Sequence, residues 1–340
     1  MARILEVVTR RPTTPVLAAV VVVGLGLAAC SGDKPSAPTT TAPSTTTTTS
    51  AAPTPAGPQP LVGGPVLAVK IDNTPAARPR IGLDVADVVY VEPVEGGLTR
   101  LLAVFSRTQA PEVGPVRSGR ESDVDLVANY GRVALAFSGS SSYTKRILDR
   151  GKQVNLSFDQ NSRGYHRDHS RPAPYNVIGN PKELLARAGG SVKPADIGFR
   201  YGPAAAGGKA TTSVAARWPS SRVTLVWNAK RKQYLVTTDG RPDVDPSGRQ
   251  YGAGTVVVQY VVTHKSGNRD VNGQPTPVVD VVGSGKTVVL RDGRSWQGRW
   301  SRKGVTAPTS FTVGAQTLTF NPKGPVWVLL VAPGQSVTVR

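Results

Sequence analysis

From residue 61 onward the chain alternates between short apolar runs and clusters of Gly, Pro, Asp and Asn. Val66 to Ile71 (VLAVKI), Arg100 to Ser106 (RLLAVFS) and Arg132 to Ser138 (RVALAFS) have the length and apolar continuity of buried strands. Between the second and third, Ser118-Gly119-Arg120-Glu121 has capping-box spacing, and Val124, Val127 and Tyr130 follow at helical intervals, which predicts a helix. Asn180-Pro181-Lys182-Glu183 repeats the signal, with proline in the first turn and Leu184, Leu185 and Ala188 as the apolar face. Residues 61–203 therefore read as a mixed α/β domain. The small, flexible stretch Ala204 to Ala216 marks a change of regime. Beyond it, Arg222 to Asn228, Gln233 to Thr238, Thr255 to His264, Val278 to Val282, Thr287 to Arg291, Thr317 to Phe320 and Val326 to Val331 are strand-like runs divided by turns, so residues 217–340 are expected to be mostly β. The fold class is α+β.

The N-terminus has a different texture. Arg3, Arg10 and Arg11 precede an apolar run, Val16 to Leu27, and Leu27-Ala28-Ala29-Cys30 closes it. The run is too short to span a bilayer comfortably and resembles a bacterial lipoprotein leader over residues 1–29, with Cys30 as the acylated residue. Residues 30–60 are almost wholly Ser, Thr, Pro, Ala and Gly, a composition that cannot bury enough surface to order itself. They read as a disordered tether with a reach of roughly 30 Å.

Composition sharpens this picture. Cys30 is the chain's one cysteine, so its acylation would leave no thiol for disulfides, nucleophilic catalysis or metal binding in the folded part. Lys plus Arg exceed Asp plus Glu by 41 to 22, a net charge of +19 that draws the protein to polyanions. Outside the cytoplasmic membrane these are anionic envelope polymers, lipid surfaces or protein partners, and nucleic acid is not expected.

Several motifs invite a chemical reading. Gly283-Ser284-Gly285-Lys286-Thr287 imitates the end of a phosphate-binding loop, but position 280 is Asp and Thr287 opens a strand-like run, so the segment reads as a hairpin turn. Ser142-Tyr143-Thr144-Lys145 has the spacing of a serine acyl-enzyme, without an independent S-x-N element. His166 and His169 stand three apart between Gly164 and Pro172, among Arg163, Arg167 and Arg171, which favours a charged loop over a metal site; no metal or cofactor is implied. Arginines offer better chemistry, because guanidinium forks grip carboxylate or phosphate in bidentate fashion.

Ile71-Asp72-Asn73, Arg78-Pro79, Ala86-Asp87-Val88-Val89-Tyr90, Glu95-Gly96-Gly97-Leu98-Thr99-Arg100, Gly114-Pro115-Val116-Arg117-Ser118 and Tyr165-His166-Arg167-Asp168 through Arg171, Pro174 and Asn176 occur in an order that resembles the YerB-type bacterial lipoproteins, a family of unknown function. The resemblance extends through Val256 to Val261, Gly298-Arg299-Trp300 and Pro325-Val326-Trp327. It implies a layered α/β sandwich in the N-terminal half and a lipid anchor outside the membrane. Family members usually carry histidine where this chain has Tyr175, which weakens any histidine-based chemistry.

The candidate ligand-binding set is Asp72, Asn73, Arg78, Glu95, Arg100, Arg117, Arg120, Arg167, Asp168, Arg171 and Asn176. The expectation is a cleft in which unpaired arginines hold an anionic wall component or partner protein. One alternative is a cell-wall hydrolase or transferase with Glu95 or Asp168 as acid/base; another is a scaffold whose charges are all paired internally.

Overall fold

The computed structural model describes residues 58–270 and 272–340. The expected leader, Cys30 and nearly all of the tether lie outside the described residues. Along the chain come β1 (Leu67–Asp72), β2 (Val88–Pro93), β3 (Thr99–Phe105), α1 (Glu121–Ala128), β4 (Ala134–Phe137), α2 (Ser142–Arg150), β5 (Val154–Ser157) and α3 (Pro181–Ala188). Then follow β6 (Ser213–Trp218), β7 (Ser221–Asn228), β8 (Gln233–Thr238), β9 (Thr255–Tyr260), β10 (Thr263–Arg269), β11 (Pro275–Val279), β12 (Gly283–Arg291), β13 (Arg294–Arg302), β14 (Thr309–Val313), β15 (Val326–Val331) and β16 (Val337–Val339). The fold is α+β and rich in β-structure.

A twelve-stranded sheet forms the centre, in the order β14-β13-β12-β9-β15-β2-β3-β1-β4-β5, with Gln316–Thr317 beyond β14 and Lys209–Ala210 paired to β13. Strand β15 pairs in parallel with β2 on one side, Val326 opposite Val88, and with β9 on the other, Val326 opposite Thr255. One sheet thus runs from the first half of the chain into the second. Its central strands are covered on both faces, which is why β1 and β15 read as nearly unbroken apolar runs. Leu67, Val69 and Ile71 enter one core with Leu184 of α3 and with Val214, Trp218, Val223 and Val236 of a second sheet, while Ala68, Val88 and Val104 enter another with Leu126 and Val127 of α1. The second sheet, Arg241–Pro242-β8-β7-β6-β16, is antiparallel and buries alternate residues.

Four expectations change. The helix after Ser118 begins at Glu121, because Asp123 rather than Glu121 reaches back to an amide, accepting from Arg120 N at 2.6 Å. Gly283–Thr287 is the start of strand β12, paired with β13 from Gly283 opposite Arg302 onward, because the ladder extends through the glycines instead of turning at them. The flexible stretch proposed to end at Ala216 already contains the first four residues of β6. Of Thr317 to Phe320, only Thr317 belongs to a strand. The helix predicted at Asn180 is present, with Asn180 Oδ1 accepting from Glu183 N at 3.2 Å.

Candidate functional site

Where β1, β2 and β3 end, their register places Asp72 opposite Arg100 and Arg100 opposite Glu92. Glu95 follows in the tight turn between β2 and β3, where Gly96 and Gly97 take φ of 67° and 70°, a conformation that L side chains resist. At Gly97 the backbone also passes so close to Pro219 that an added Cβ would lie 2.5 Å from its Cβ. The segment before α1 continues along β1 through a bond from Arg117 N to Lys70 O at 2.8 Å, so Arg117 and Arg120 are set beside the same strand ends.

These pieces enclose a cleft of about 510 Å³ lined by Asp72, Glu95, Arg100, Arg117, Arg120, Ser140, Ser141, Thr144, Tyr175 and the Asn268–Asp270 segment, with Thr74, Val94, Leu98, Thr99 and Ser118. The β10–β11 hairpin supplies one wall. Thr276 Oγ1 donates to Glu95 Oε1 at 2.6 Å, Ser141 Oγ donates to Asn268 Oδ1 at 2.9 Å, and Ser266 donates to Glu121.

Two of the three central arginines already have acidic partners. Arg117 Nε lies 2.9 Å from Asp72 Oδ2, and its guanidinium stands 5.6 Å from the centre of the Tyr175 ring. Arg120 donates from Nε and Nη2 to Glu95 Oε2 at 3.0 and 2.6 Å. Burial pushes the Glu95 carboxyl up, but Arg120 and the bonds from Arg120 and Thr276 outweigh it, so its pKa falls below the usual value. Arg100 is different. Among the described residues it makes no ion pair, and its one recorded hydrogen bond runs from Nη1 to Ser118 O at 3.1 Å. Burial, followed by the repulsion of Arg120 and Arg117, lowers its pKa to about 9. The hollow therefore holds a partly desolvated cation whose neighbouring acids are engaged elsewhere.

Five of the predicted residues, Asp72, Glu95, Arg100, Arg117 and Arg120, meet in this cleft. Asn73 lies behind it, bonded from Nδ2 to Thr99 Oγ1 at 2.8 Å and accepting from Arg80. Arg78 is turned toward the second sheet, 3.5 Å from Asp243 and 3.8 Å from Asp239. Arg167, Asp168, Arg171 and Asn176 form their own network on the loop at Ser162 to Asn176. There Arg171 Nε contacts Asp168 Oδ2 at 2.8 Å, Arg167 Nη1 donates to Asn176 Oδ1 at 2.8 Å, and Arg167 sits over the Phe158 ring at 4.9 Å. Bonds from Ser170 and then Arg171 hold the partly exposed Asp168 carboxyl below its usual range. Only Tyr175 of that loop lines the cleft. Neither Glu95 nor Asp168 is kept protonated, as a general acid must be at neutral pH. Lys145 pairs with Asp149 at 2.5 Å on the exposed face of α2.

The C-terminal wall residues were absent from the predicted set. Ser266 and Asn268 carry no local signal of this role in the sequence; in the fold they bond Glu121 and Ser141 across the cleft.

The fold and cleft define a mixed, mainly β protein in which strands from both ends of the chain build one sheet and both halves enclose one charged hollow. The chain belongs to a family known by its two parts: residues 53–193 match "Protein of unknown function (DUF3048) N-terminal domain" and residues 214–328 match "Protein of unknown function (DUF3048) C-terminal domain". It is similar to "Putative lipoprotein YerB" of Bacillus subtilis (strain 168), 38% identical over 113 residues, an aligned stretch that spans 32% of this chain and 33% of that protein. A crystal structure of the YerB protein from Bacillus subtilis has the same fold, with a TM-score of 0.67 at 21% identity over 82% of this chain and 95% of that one.

Proposed function

We propose that the protein is a lipoprotein, anchored through Cys30 on the outer side of the cytoplasmic membrane, whose cleft binds an anionic group of the cell envelope, a phosphate or carboxylate carried by a wall polymer or a partner protein. The single observation that carries the binding reading is Arg100, a partly buried guanidinium with no acidic partner, flanked by two others and open to a hollow of about 510 Å³. An incoming anion would gain charge-assisted bonds from Arg100 and relieve its repulsion from Arg117 and Arg120. The leader-like N-terminus, the tether and the likeness to a protein described as a lipoprotein support the anchored location. A scaffold with fully paired charges fits less well because of Arg100, and an acid/base enzyme fits less well because both candidate carboxylates are stabilised in their ionised form.

Calorimetric titration of the full chain with two probes, a phosphodiester-linked polyol fragment and a carboxylate-bearing peptidoglycan fragment, tests the reading and separates the two anion sources. Arg100→Ala should weaken binding of the true class by about 10- to 100-fold, the worth of one strong charge-assisted bond. Arg167→Ala, outside the cleft, should leave it unchanged. Equal affinities of wild type and Arg100→Ala for a probe that binds would defeat the assignment, as would absence of binding by both probes.

A further inference from the structure

Next to the cleft floor, on the same face of the central sheet, lies a second cluster of ionisable groups. Lys70 of β1, Glu92 of β2 and Asp123 of α1 are 0%, 1% and 0% exposed. Lys70 Nζ stands 2.7 Å from Asp123 Oδ1 and also contacts Glu92 Oε1. Asp123 Oδ2 accepts from Arg120 N at 2.6 Å, which fixes the orientation of its carboxyl group. Glu92 Oε2 is buried with no hydrogen-bond partner. Leu102 sits opposite Lys70 in the ladder, Tyr90 opposite Leu102, and Leu126 of α1 belongs to the same core, while on the cleft side Arg100 stands opposite Glu92.

An ammonium and two carboxylates withdrawn together from water are costly to hold as charges. Burial, opposed by Lys70 and reinforced by Asp123, pushes the Glu92 carboxyl well above the usual carboxylate range, which favours its protonated form. What remains is an ion pair between Lys70 and Asp123 with a neutral acid against it. Those are the reactants of a condensation, held in contact without competing water.

We propose that Lys70 Nζ joins Asp123 Cγ in an intramolecular amide cross-link between β1 and α1, with Glu92 carrying the protons. The N–Cγ bond forms and the Cγ–Oδ1 bond breaks. The departing oxygen leaves as water, taking the two protons that the Lys70 ammonium gives up. Nζ first passes one proton straight to Oδ1, 2.7 Å away, which frees its lone pair for the attack; Glu92 then hands its own proton to the leaving Oδ1 and takes the second from Nζ, so it ends in the state in which it began. One positive and one negative charge become a neutral amide, and no oxidant, cofactor or activated intermediate enters the balance. The retained oxygen, Oδ2, keeps the Arg120 amide as its donor, and the new N–H faces Glu92 Oε1. Asp123 is the acyl partner because its carboxyl is pinned by the backbone, and Glu92 is the carrier because its second oxygen is uncommitted. With a single cysteine, the chain has no intramolecular disulfide as another route to a covalent lock.

Chymotryptic peptide mapping of the unfolded full-length protein by tandem mass spectrometry tests the cross-link directly. The expected result is a branched species joining the Lys70 and Asp123 peptides, lighter by one water than their sum. It should disappear in Lys70→Arg and Asp123→Ala. Glu92→Gln, which keeps shape and hydrogen bonding but cannot relay protons, should also lack it while folding normally. Intact mass alone is a poor readout, since Asp239-Gly240 and Asp292-Gly293 can lose water by imide formation, a route that yields no branch. Wild-type protein containing only separate Lys70 and Asp123 peptides overturns the proposal, and a branch between Lys70 and Glu92 overturns the assignment of roles. Both outcomes are measured on wild-type protein, so they stand even where a variant does not fold.

Discussion

Arg100→Met removes the charge from the cleft floor while keeping a long, flexible stem against the same neighbours. A guanidinium whose pKa drops from 12.5 to about 9 is disfavoured by up to about 5 kcal/mol in the folded state. Because the side chain is partly open to solvent, screening reduces this to about 2 kcal/mol. Loss of the bond to Ser118 O returns about 1 kcal/mol, leaving the variant more stable by ~1 kcal/mol. For a domain of this size that is a rise in Tm of about 2–4 °C. Below about 9 Arg100 is charged in both folded and unfolded chains, so its destabilisation is complete at neutral pH. Between about 9 and 12.5 the unfolded chain binds more protons, wild-type stability gains, and the gap to the variant closes. Scanning calorimetry with and without the anionic probe measures both the stability change and the ligand-induced shift. Wild type should gain about 2.7 kcal/mol at a ligand concentration of a hundred times Kd, and Arg100→Met far less. A variant whose Tm falls by several degrees would show that the Arg100 charge stabilises the fold, and one that keeps the full ligand-induced shift would show that Arg100 does not hold the anion.

Glu95→Gln leaves Arg120 without its counter-charge and should cost about 1–3 kcal/mol in urea unfolding at neutral pH. Since the folded pKa of Glu95 lies below its ordinary 4.5, the stability it contributes is present above that value and is lost as pH falls through the lower folded one; the variant's deficit should therefore shrink in acid. Gly97→Ala places a side chain at φ 70° and drives its Cβ toward Pro219, so a loss of about 2 kcal/mol or more in the same assay is expected, against little change for Gly240→Ala beyond its own backbone strain, because nothing lies within 4 Å there. Cys30→Ser should move the protein from the membrane pellet to the soluble fraction and abolish incorporation of labelled fatty acid; a variant that still pellets and is still labelled would argue against acylation at that residue.

Much of the fold was legible because period and burial agree in its central strands. β1, β3 and β15 are covered on both faces, and their apolar continuity survives in the sequence. β6 (SVAARW) and β13 (RSWQGRWSR) were not, since one mixes alanine with alternate burial and the other is mostly charged and polar. They are strands because their neighbours supply ladders, a condition no local window contains. The cleft was half legible. Arg100, Arg117, Arg120, Asp72 and Glu95 sit at the ends of readable elements, so their convergence could be anticipated. The loop at Arg167 to Asn176 has the same residue types, but Arg171 is taken by Asp168 and Arg167 by Asn176, each within a few residues. Thr276 and Asn268 belong to a hairpin more than a hundred residues away, and only tertiary pairing brings them to Glu95 and Ser141. The Lys70 cluster hides for a related reason: Lys70 and Glu92 look like lone charges at the ends of apolar runs, and Asp123 like one of several acids at a helix start, until three elements are superimposed.

The parallel match of β15 with β2 has a consequence for how this molecule comes into being. Residues 88–93 meet one neighbouring strand at once, yet the other arrives more than two hundred positions later, at 326–331. Until that late segment emerges, a long apolar ribbon stands with one row of amides and carbonyls unclaimed, an open invitation to any extended peptide passing by. A chain interrupted before Val326 should thus be a sticky, protease-sensitive fragment rather than a smaller working protein, and whatever escorts the nascent polypeptide must shield that border until the last strand slots home.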